Sequence, residues 1–303
     1  MEIVHLIIHG RNRRKNVINE QLAKLLGNKF QVNLYVTEYR DHAKEITEKL
    51  IKESSGIFVA AGGDGTVNEV INGFMSAAEN IRNRSFLAIF PQGTGNDFAR
   101  TIKITNSVKK LAEVIRRKHV LKSDVGELTY LNLQYLQEKR FFINIADIGI
   151  GGVTVELVNS RDKVLGSSLT FITSVIKAFS KYKHQHVEFT YNSGNWRGDI
   201  MSLCIANGRF FGSGLCIARN ANIDDGKFSF VIIGKVTVAT FLQKLPMLKF
   251  CKKLKHKEVW EFEGTNCSIE TPLTNCPIDL DGDFVGFAPL QAKLLHKQIN
   301  VLI

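Results

Sequence analysis

The chain has 303 residues, of which 44% are hydrophobic, so it can bury a substantial core in one large or two medium domains. Lysine and arginine outnumber aspartate and glutamate by 40 to 29, which gives a net charge of +11. This basic balance favours anionic partners, namely nucleic acid, an acidic lipid surface or a polyphosphate. No apolar run reaches the ~18 residues of a membrane span, and the basic residues 11–15 after the first short apolar run argue against a secretion signal.

The cysteines also bear on location. The five of them are Cys204, Cys216, Cys251, Cys267 and Cys276. Their number is odd and no two have Cys-x-x-Cys spacing, so the sequence predicts reduced thiols and not disulfides or zinc ligands. Together with the expected absence of a membrane span and a secretion signal, this predicts a cytoplasmic protein.

The first 120 residues alternate short apolar strands with helical patterns. Strands are predicted over residues 3–8, 31–36, 57–61 and 86–91, and helices near residues 18–26 and 42–51. This alternation predicts an α/β domain in which helices cover a parallel sheet.

Two glycine-rich turns follow buried-strand patterns in this part of the chain. Residues 62–66 read Gly-Gly-Asp-Gly-Thr, and residues 93–97 read Gly-Thr-Gly-Asn-Asp. Glycine lets the backbone come close to a ligand, and N–H groups at a helix start hold phosphate oxygens. Asp64 and Asp97 would repel a bare phosphate, so we expect them to act through Mg²⁺ or water. The two turns predict a phosphate and metal site, although Gly-Asp-Gly is also common in ordinary turns.

The segment after the first turn is predicted to be a helix. Thr66 and Glu69 have the spacing of a capping box, in which Ser or Thr precedes Glu or Gln at the helix start. We therefore expect this helix to begin at Thr66. The pattern is neither a Walker A motif nor a dinucleotide fingerprint, so it predicts a different design for binding phosphate.

From about residue 120 the pattern changes to β-type segments. These cover residues 141–148, 186–191, 200–206, 228–233, 259–262 and 267–271, with helical patterns near residues 152–159, 169–182 and 238–250. A mostly antiparallel β-sandwich is predicted for this second domain, and we place the boundary near Lys122. Two Asp-Gly segments stand out within it, residues 222–227 and residues 279–283. Taken alone, each is typical of a polar hairpin turn.

The whole chain resembles the lipid kinases with a diacylglycerol-kinase catalytic domain, which include soluble bacterial diacylglycerol kinases and sphingosine kinases. Three motifs carry the resemblance: GGDGTVNEVING at residues 62–73, PQGTGNDFAR at residues 91–100 and DLDGD at residues 279–283. NAD kinases and phosphofructokinases have a similar GGDGT turn. The continuation after that turn and the GTGND turn favour the lipid branch.

The resemblance implies a nucleotide-binding domain over residues 1–122, to which a C-terminal segment of about 290–303 returns. It implies a β-rich lipid-acceptor domain over residues 123–289, with the active site in the cleft between the two domains. ATP and Mg²⁺ are the implied cofactors, because phosphoryl transfer needs a phosphate cradle, a metal ion and a base near the accepting hydroxyl.

The ATP-binding residues that the resemblance implies lie in four loops. They are Arg11, Thr37, Gly62, Gly63, Asp64, Gly65, Thr66, Val67, Asn68, Glu69, Gly93, Thr94, Asn96 and Asp97. In the first loop the family usually has Asn-Pro followed by Gly or Arg, whereas this chain has His9-Gly10-Arg11. Arg11 still offers a guanidinium to the phosphates, but the missing asparagine leaves the adenosine contacts of this loop open.

Residues on the acceptor side are implied by the two Asp-Gly segments. Asp281-Gly282-Asp283 resembles the family's Asp-Gly-Glu motif, whose acidic residues deprotonate the accepting hydroxyl. The final aspartate is one methylene shorter, about 1.5 Å, so the proton acceptor is either Asp283 or Asp281. Residues 222–227 resemble a Mg²⁺ site, to which Asp225 gives its side chain and Asn222 and Lys227 give their carbonyls.

The sequence thus predicts an ATP-dependent lipid kinase that phosphorylates a lipid hydroxyl, with diacylglycerol as the default acceptor and phosphatidylglycerol, a sphingoid base or ceramide left open. The alternatives are an NAD kinase-like small-molecule kinase and a catalytically idle lipid- or nucleotide-binding module. No recognition motif supports nucleic acid as a partner. We expect reversible contact with an anionic membrane surface, first through Arg13, Arg14 and Lys15, and we leave a homodimer open.

Overall fold

The computed structural model describes residues 1–159, 167–272 and 276–303. The chain divides into two compact units. The first consists of Met1–Val125 with His296–Ile303, and the second consists of Gly126–Leu295. The sequence predicts a domain boundary near Lys122 and a C-terminal segment that rejoins the first domain from about residue 290.

The first unit is a parallel sheet with helices. Its elements are β1 (Glu2–Ile8), α1 (Lys15–Leu26), β2 (Phe30–Val36), α2 (His42–Glu53), β3 (Ile57–Gly62), α3 (Asp64–Met75), α4 (Glu79–Arg82), β4 (Phe86–Pro91), α5 (Asp97–Thr101) and α6 (Val108–Arg117). The strands pair in parallel in the order β2-β1-β3-β4. The predicted α/β architecture of this part of the chain is confirmed.

Helices bury both faces of this sheet. On one face, Leu6 of β1 packs in a cluster with Leu22 of α1 and Ile115 of α6. On the other face, the ring of Phe58 in β3 meets that of Phe74 in α3 edge-on, with 4.9 Å between centroids. Alternate residues of a strand point to opposite faces, so strands that are apolar throughout are buried on both sides.

The second unit is mostly antiparallel. Its elements are β5 (Val120–Asn132), which begins in the first unit, β6 (Gln137–Phe142), β7 (Ile145–Gly149), α7 (Ile150–Asn159), α8 (Ser167–Lys181), β8 (Gln185–Tyr191), β9 (Gly194–Ile200), β10 (Ser202–Ala206), β11 (Phe210–Phe211), β12 (Leu215–Cys216), β13 (Phe228–Ile233), α9 (Val238–Lys249), β14 (Val259–Gly264), β15 (Asn266–Glu270), β16 (Pro277–Leu280) and β17 (Asp283–Leu302), which ends in the first unit. No helix in the described part of the chain is long and apolar enough to cross a membrane.

Two runs of strands meet at β17. One run has the order β14-β13-β10-β7-β16, and the other has the order β9-β8-β15. Their buried side chains form one core, in which Phe142 stacks on Phe228 and Phe189 meets Phe230 edge-on, at centroid distances of 5.6 and 5.1 Å. This is the β-sandwich-like domain that the sequence predicts.

The last residues of the chain complete the first unit. Val301 pairs in parallel with Leu87 of β4. The Asn300 side-chain amide donates to the carbonyl oxygens of Asn83 and Ser85 at 3.1 and 3.2 Å. The sheet of the first unit therefore depends on residues from both ends of the sequence.

Two predictions about the second unit are wrong. Cys216 and Cys251 form a disulfide across a sequence separation of 35 residues, whereas Cys204, Cys267 and Cys276 are free and buried. The spacing of the cysteines does not reveal this pair, because tertiary folding brings Cys216 and Cys251 together.

The predicted strand over residues 141–148 is in fact two strands, β6 and β7. The break falls at Ile143 and Asn144, whose backbone N–H groups donate to the carboxylate of Asp281. A carboxylate from a distant part of the sequence thus takes donors that a continuous strand would give to a neighbouring strand.

Candidate active site

The two glycine-rich turns touch each other in the first unit. They follow β3 and β4, which are parallel neighbours with Gly62 opposite Pro91. The backbone N–H of Gln92 donates to the carbonyl of Gly62 at 2.8 Å. A Cβ on Gly93 would overlap the Cα of Gly63, and a Cβ on Gly63 would lie 3.2 Å from the Cα of Gly93. The second turn therefore needs glycine at Gly93, and a side chain at Gly63 would be tightly packed against it.

Helix α3 begins immediately after the first turn. Its N-cap is Gly63, and the first N–H with an acceptor inside the helix is that of Val67, which donates to the Gly63 carbonyl at 3.1 Å. The N–H groups ahead of it have no acceptor within the helix, and the helix dipole adds positive potential at this end. A Cβ on Gly65 would meet no atom of the described residues within 4 Å. This end of α3 therefore has the chemistry and the space to bind an anion.

The predicted capping box is wrong. Thr66 lies inside α3, and its side chain fills the space that a Cβ on Gly62 would need. The carboxylate of Glu69 accepts hydrogen bonds from the N–H groups of Asp41 and Ala43, at 3.1 and 3.0 Å. Glu69 thus stabilises the start of α2 and not the start of its own helix, since a tertiary partner takes the place of the local one.

Asp64 and Asn96 hold the second turn in shape. Asp64 Oδ1 accepts from the N–H of Phe98 at 3.2 Å, which ties the first turn to α5. The side chain of Asn96, a residue with φ of 53°, accepts from the Gly93 N–H at 2.9 Å and donates to the Gly93 carbonyl at 2.8 Å. Thr94 lies exposed within this turn. Asn96 therefore shapes the loop that presents Thr94.

Asp97 is buried at the start of α5. Its carboxylate Oδ1 lies 4.0 Å from Nε of Arg100. In α3, Val67 and Asn68 are also buried, and Asn68 Oδ1 accepts from the Asn72 side chain at 3.1 Å. These three positions are in the interior, and their predicted contacts with ATP stay predictions.

The first loop is built around Gly10. Its N–H donates to Oγ1 of Thr37 at 3.2 Å, and a Cβ on Gly10 would overlap the Thr37 carbonyl oxygen. The loops that follow β1 and β2 are therefore packed so closely that the position of Gly10 has no room for a side chain. Arg11 is exposed, so its guanidinium is accessible to an anion.

In the second unit, the Asp281 carboxylate organises a corner of the backbone. Oδ1 accepts from the N–H groups of Asn144 and Ile145 at 3.1 and 2.9 Å, and Oδ2 accepts from the N–H of Ile143 at 3.1 Å. Asp281 is buried and has a left-handed φ of 50°. Its oxygens are occupied in holding the break between β6 and β7.

Asp283 is in a different position. It begins β17, its side chain is 27% exposed, and its Oδ2 lies 3.6 Å from Nη2 of Arg140. Asp283 is therefore the more accessible carboxylate of the two predicted catalytic residues, and Arg140 restrains it.

Sequence reasoning missed a buried pair of carboxylates beside this turn. Asp279 of β16 stands opposite Asp147 of β7 in the antiparallel ladder, and both are buried. Burial raises the pKa of Asp147 to about 6, against hydrogen bonds from Ser202 and Cys204 that lower it. Burial, and then the charge of Asp147, raise the pKa of Asp279 well above its usual range. The available signal was an acidic residue in each of two otherwise apolar strands.

Asp279 also contacts the predicted catalytic turn. Its Oδ1 accepts from the N–H of Gly282 at 2.8 Å. The carboxylates of Asp279 and Asp281 therefore hold this turn from both sides, and Asp283 follows directly.

The predicted Mg²⁺ segment forms an exposed turn. Oδ1 of Asp225 accepts from the N–H of Lys227 at 3.3 Å, and Gly226 has φ of 78°. Nζ of Lys227 pairs with Glu263 at 2.5 Å. The described residues hold no group of three or more His, Cys, Asp or Glu side chains that suits a metal ion. A site of one carboxylate and the carbonyls of Asn222 and Lys227 is not such a group, so it stays a prediction.

Comparisons with known proteins agree on the family. Residues 4–128 match the diacylglycerol kinase catalytic domain, and residues 144–303 match the YegS C-terminal NAD kinase beta sandwich-like domain. The diacylglycerol kinase of Staphylococcus aureus (strain bovine RF122 / ET3-1) is 25% identical over 300 residues, or 99% of this chain and 90% of that protein. That of Staphylococcus haemolyticus (strain JCSC1435) is also 25% identical, over 99% of this chain and 86% of that protein.

A solved structure agrees on the fold. The crystal structure of a diacylglycerol kinase from Bacillus anthracis str. Sterne superposes with a TM-score of 0.71 at 19% identity, over 99% of this chain and 96% of that chain. The chain therefore belongs to the lipid kinase family in which a diacylglycerol kinase catalytic domain precedes this C-terminal domain. The predicted family and fold are confirmed, and the chain is a kinase.

Proposed function

We propose that the chain transfers the γ-phosphoryl group of ATP, with Mg²⁺, to the hydroxyl of a membrane lipid, and that diacylglycerol is the acceptor. The observation that carries this proposal is the contact between the two glycine turns at Gly63 and Gly93, beside the start of α3. Two backbones this close, next to a helix N-terminus with open space at Gly65, make a cradle for phosphate oxygens.

Each proposed role follows from the position of the residue. N–H groups at the start of α3 hold phosphate oxygens, and exposed Thr94 and Arg11 add a hydroxyl and a guanidinium. Asp64 and Asp97 act through Mg²⁺ or water, because a carboxylate repels a bare phosphate. When bound, the metal neutralises charge on the phosphates.

Asp283 is the proposed proton acceptor. It is partly exposed and restrained by Arg140, while Asp281 is buried and accepts three backbone hydrogen bonds. A general base must reach the proton that it removes. Of these two carboxylates, Asp283 therefore suits that role, and Asp281 positions the turn.

An assay with several acceptors tests the proposal. Purified protein is incubated with labelled ATP, Mg²⁺ and mixed micelles of diacylglycerol, phosphatidylglycerol, a sphingoid base or ceramide, and separately with NAD. We expect label in diacylglycerol, and label in another lipid would correct the acceptor alone. The NAD arm is needed because GGDGT is shared with NAD kinases, and label in NAD without label in any lipid would overturn the proposal. Binding of ATP without any turnover would identify an idle binding module.

We also propose that the protein acts at the membrane surface from the cytoplasm, which supplies the ATP that the proposed reaction needs. The cysteines do not support this location, because Cys216 and Cys251 form a disulfide. The acceptor lies in a bilayer, and the described helices offer no span. The enzyme must then bind the membrane reversibly, for which a net charge of +11 is suited.

A further inference from the structure

Helix α9 and the residues after it form a surface without acidic side chains. Residues 236–257 contain no Asp or Glu and contain the lysines Lys244, Lys249, Lys252, Lys253, Lys255 and Lys257. All of these except Lys244 are exposed. None of the six forms an ion pair with a side chain that the structure describes, which leaves out the side chains of residues 158–172 and 273–275. We call residues 242–257 the α9 surface.

Apolar side chains are exposed on the same surface. Leu248 is buried, and Phe241 and Leu245 pack with it against the core beneath β10 and β13. Leu242 is instead 42% exposed, and Phe250, immediately after the helix, is 74% exposed. An exposed phenylalanine within a basic cluster is typical of a surface that binds a lipid bilayer, in which anionic headgroups cover an apolar interior.

The exposed phenylalanine is held by its neighbours. Cys251 is bonded to Cys216, at the end of β12, and Leu254 packs against the same core as Leu248. The backbone on both sides of Phe250 is therefore anchored, so its exposure is a property of the fold.

A second exposed apolar patch lacks this charge pattern. The hairpin between β5 and β6 exposes Tyr135 at 53% and Leu136 at 65%. Glu138 lies in β6 beside Lys139, which pairs with Glu127 at 3.2 Å. Because acidic and basic groups are mixed there, this hairpin has no attraction to an anionic surface and serves as a matched control.

We propose that the α9 surface docks the protein on anionic phospholipid, with Leu242 and Phe250 entering the headgroup region and the lysines contacting lipid phosphates. This proposal rests on the proposed function, since a lipid acceptor requires a membrane contact. Nucleic acid would also attract lysines, but its phosphate backbone has no apolar surface against which an aliphatic side chain such as Leu242 could pack. The apolar component favours a bilayer.

Vesicle binding tests the proposal without ATP or turnover. The protein is sedimented with vesicles of phosphatidylcholine, with or without phosphatidylglycerol, and separately titrated with duplex DNA. We expect binding to the anionic vesicles, and we expect the variant Phe250→Ser/Lys252→Gln/Lys253→Gln to bind them at least about tenfold more weakly. Leu136→Ser should bind as the parent protein does. All three replaced side chains are exposed, so the melting temperature should stay unchanged.

A second measurement reports insertion directly. In the Phe250→Trp variant, vesicles that contain brominated lipid should quench fluorescence beyond that of the parent protein, and Leu136→Trp should show no added quenching. Undiminished binding of the triple variant, equal loss in Leu136→Ser, or tighter binding to DNA than to anionic vesicles would each overturn the proposal. Phosphorylation of a short-chain soluble diacylglycerol is assayed in parallel. Its failure, with vesicle binding intact, would count against the proposed function and not against the docking surface.

Discussion

At the scale of single residues, the turn at residues 281–283 separates two roles that the sequence could not separate. Both acidic residues of the motif were candidates for the proton acceptor. The side chain of Asp281 accepts hydrogen bonds from three backbone N–H groups at the break between β6 and β7. Asp283 is instead partly exposed beside Arg140. Only the pairing of β16 with β7 brings that break to Asp281, so no local pattern reveals the difference.

Replacing each carboxylate by an amide should therefore give different results. Asp283→Asn should lower kcat strongly, with little change in melting temperature or in KM for ATP, because the base acts only in the chemical step. Asp281→Asn places an NH₂ group against buried N–H donors and should destabilise the protein by about 2 kcal/mol. Steady-state kinetics and urea unfolding measure both effects. Full activity of Asp283→Asn would show that Asp283 is not the base. Glu261→Gln, at an exposed position, is the control and should behave as the parent protein does.

The buried pair Asp147 and Asp279 predicts how stability depends on pH. The pKa of Asp147 is raised from 3.8 to about 6 in the folded protein, so the folded state binds more protons than the unfolded state between these values. Stability should then fall as pH rises from about 4 through 6, by about 3 kcal/mol for this group. Asp147→Asn should reduce this fall, and it also removes a charge that raises the pKa of Asp279.

Urea unfolding of the parent and Asp147→Asn proteins at pH 4 and pH 8 measures that difference. The exposed Glu261→Gln should follow the parent at both pH values. If Asp147→Asn lost as much stability with rising pH as the parent does, the buried carboxylate would not be the source.

At the scale of elements, the sequence predicts those helices and strands whose positions are set by hydrophobic periodicity. The strands of the first unit and α9 appear where their apolar patterns place them, and the glycine turns follow strands as expected. The errors have tertiary causes. Glu69 accepts hydrogen bonds at the start of another helix, and Asp281 accepts them at the break between β6 and β7. Cys251 forms a disulfide with Cys216, which is distant in the sequence. For the candidate site, the motifs predict the loops, but the contact of Gly63 with Gly93 depends on the order of β3 and β4 in the sheet.

Glu69 gives an element-scale prediction. Because its carboxylate accepts from Asp41 and Ala43 at the start of α2, Glu69→Gln loses one of two charge-assisted bonds and should cost about 1 kcal/mol. Urea unfolding and hydrogen exchange of the Ala43 amide measure this loss, with the exposed Glu20→Gln as control. A raised KM for ATP without any change in stability would instead assign Glu69 to the nucleotide.

At the scale of the whole molecule, β5 and β17 each contribute residues to both units. The sheet of the first unit therefore includes Val301 from the far end of the chain. The second unit is one continuous stretch of sequence, whereas the first unit is made of two separate stretches. A single boundary near Lys122 therefore describes only part of the division. Removing the residues after His296 would delete a strand of the first unit.

The net charge of +11 leads to the last prediction. Attraction of about 1 kcal/mol for each lysine or arginine near an anionic leaflet decays within a Debye length of about 8 Å at physiological salt. Activity on bilayer substrate should then rise with anionic lipid and fall with added salt, while a soluble short-chain analogue responds much less. Replacing Arg13, Arg14 and Lys15 by glutamine should raise the apparent KM for vesicles and spare the soluble analogue. Arg13 and Arg14 are exposed, but the ammonium of Lys15 lies 3.5 Å from the Gly10 carbonyl in the first loop. Equal loss on both substrates would therefore assign this cluster to ATP binding, and the α9 surface would remain as the membrane contact.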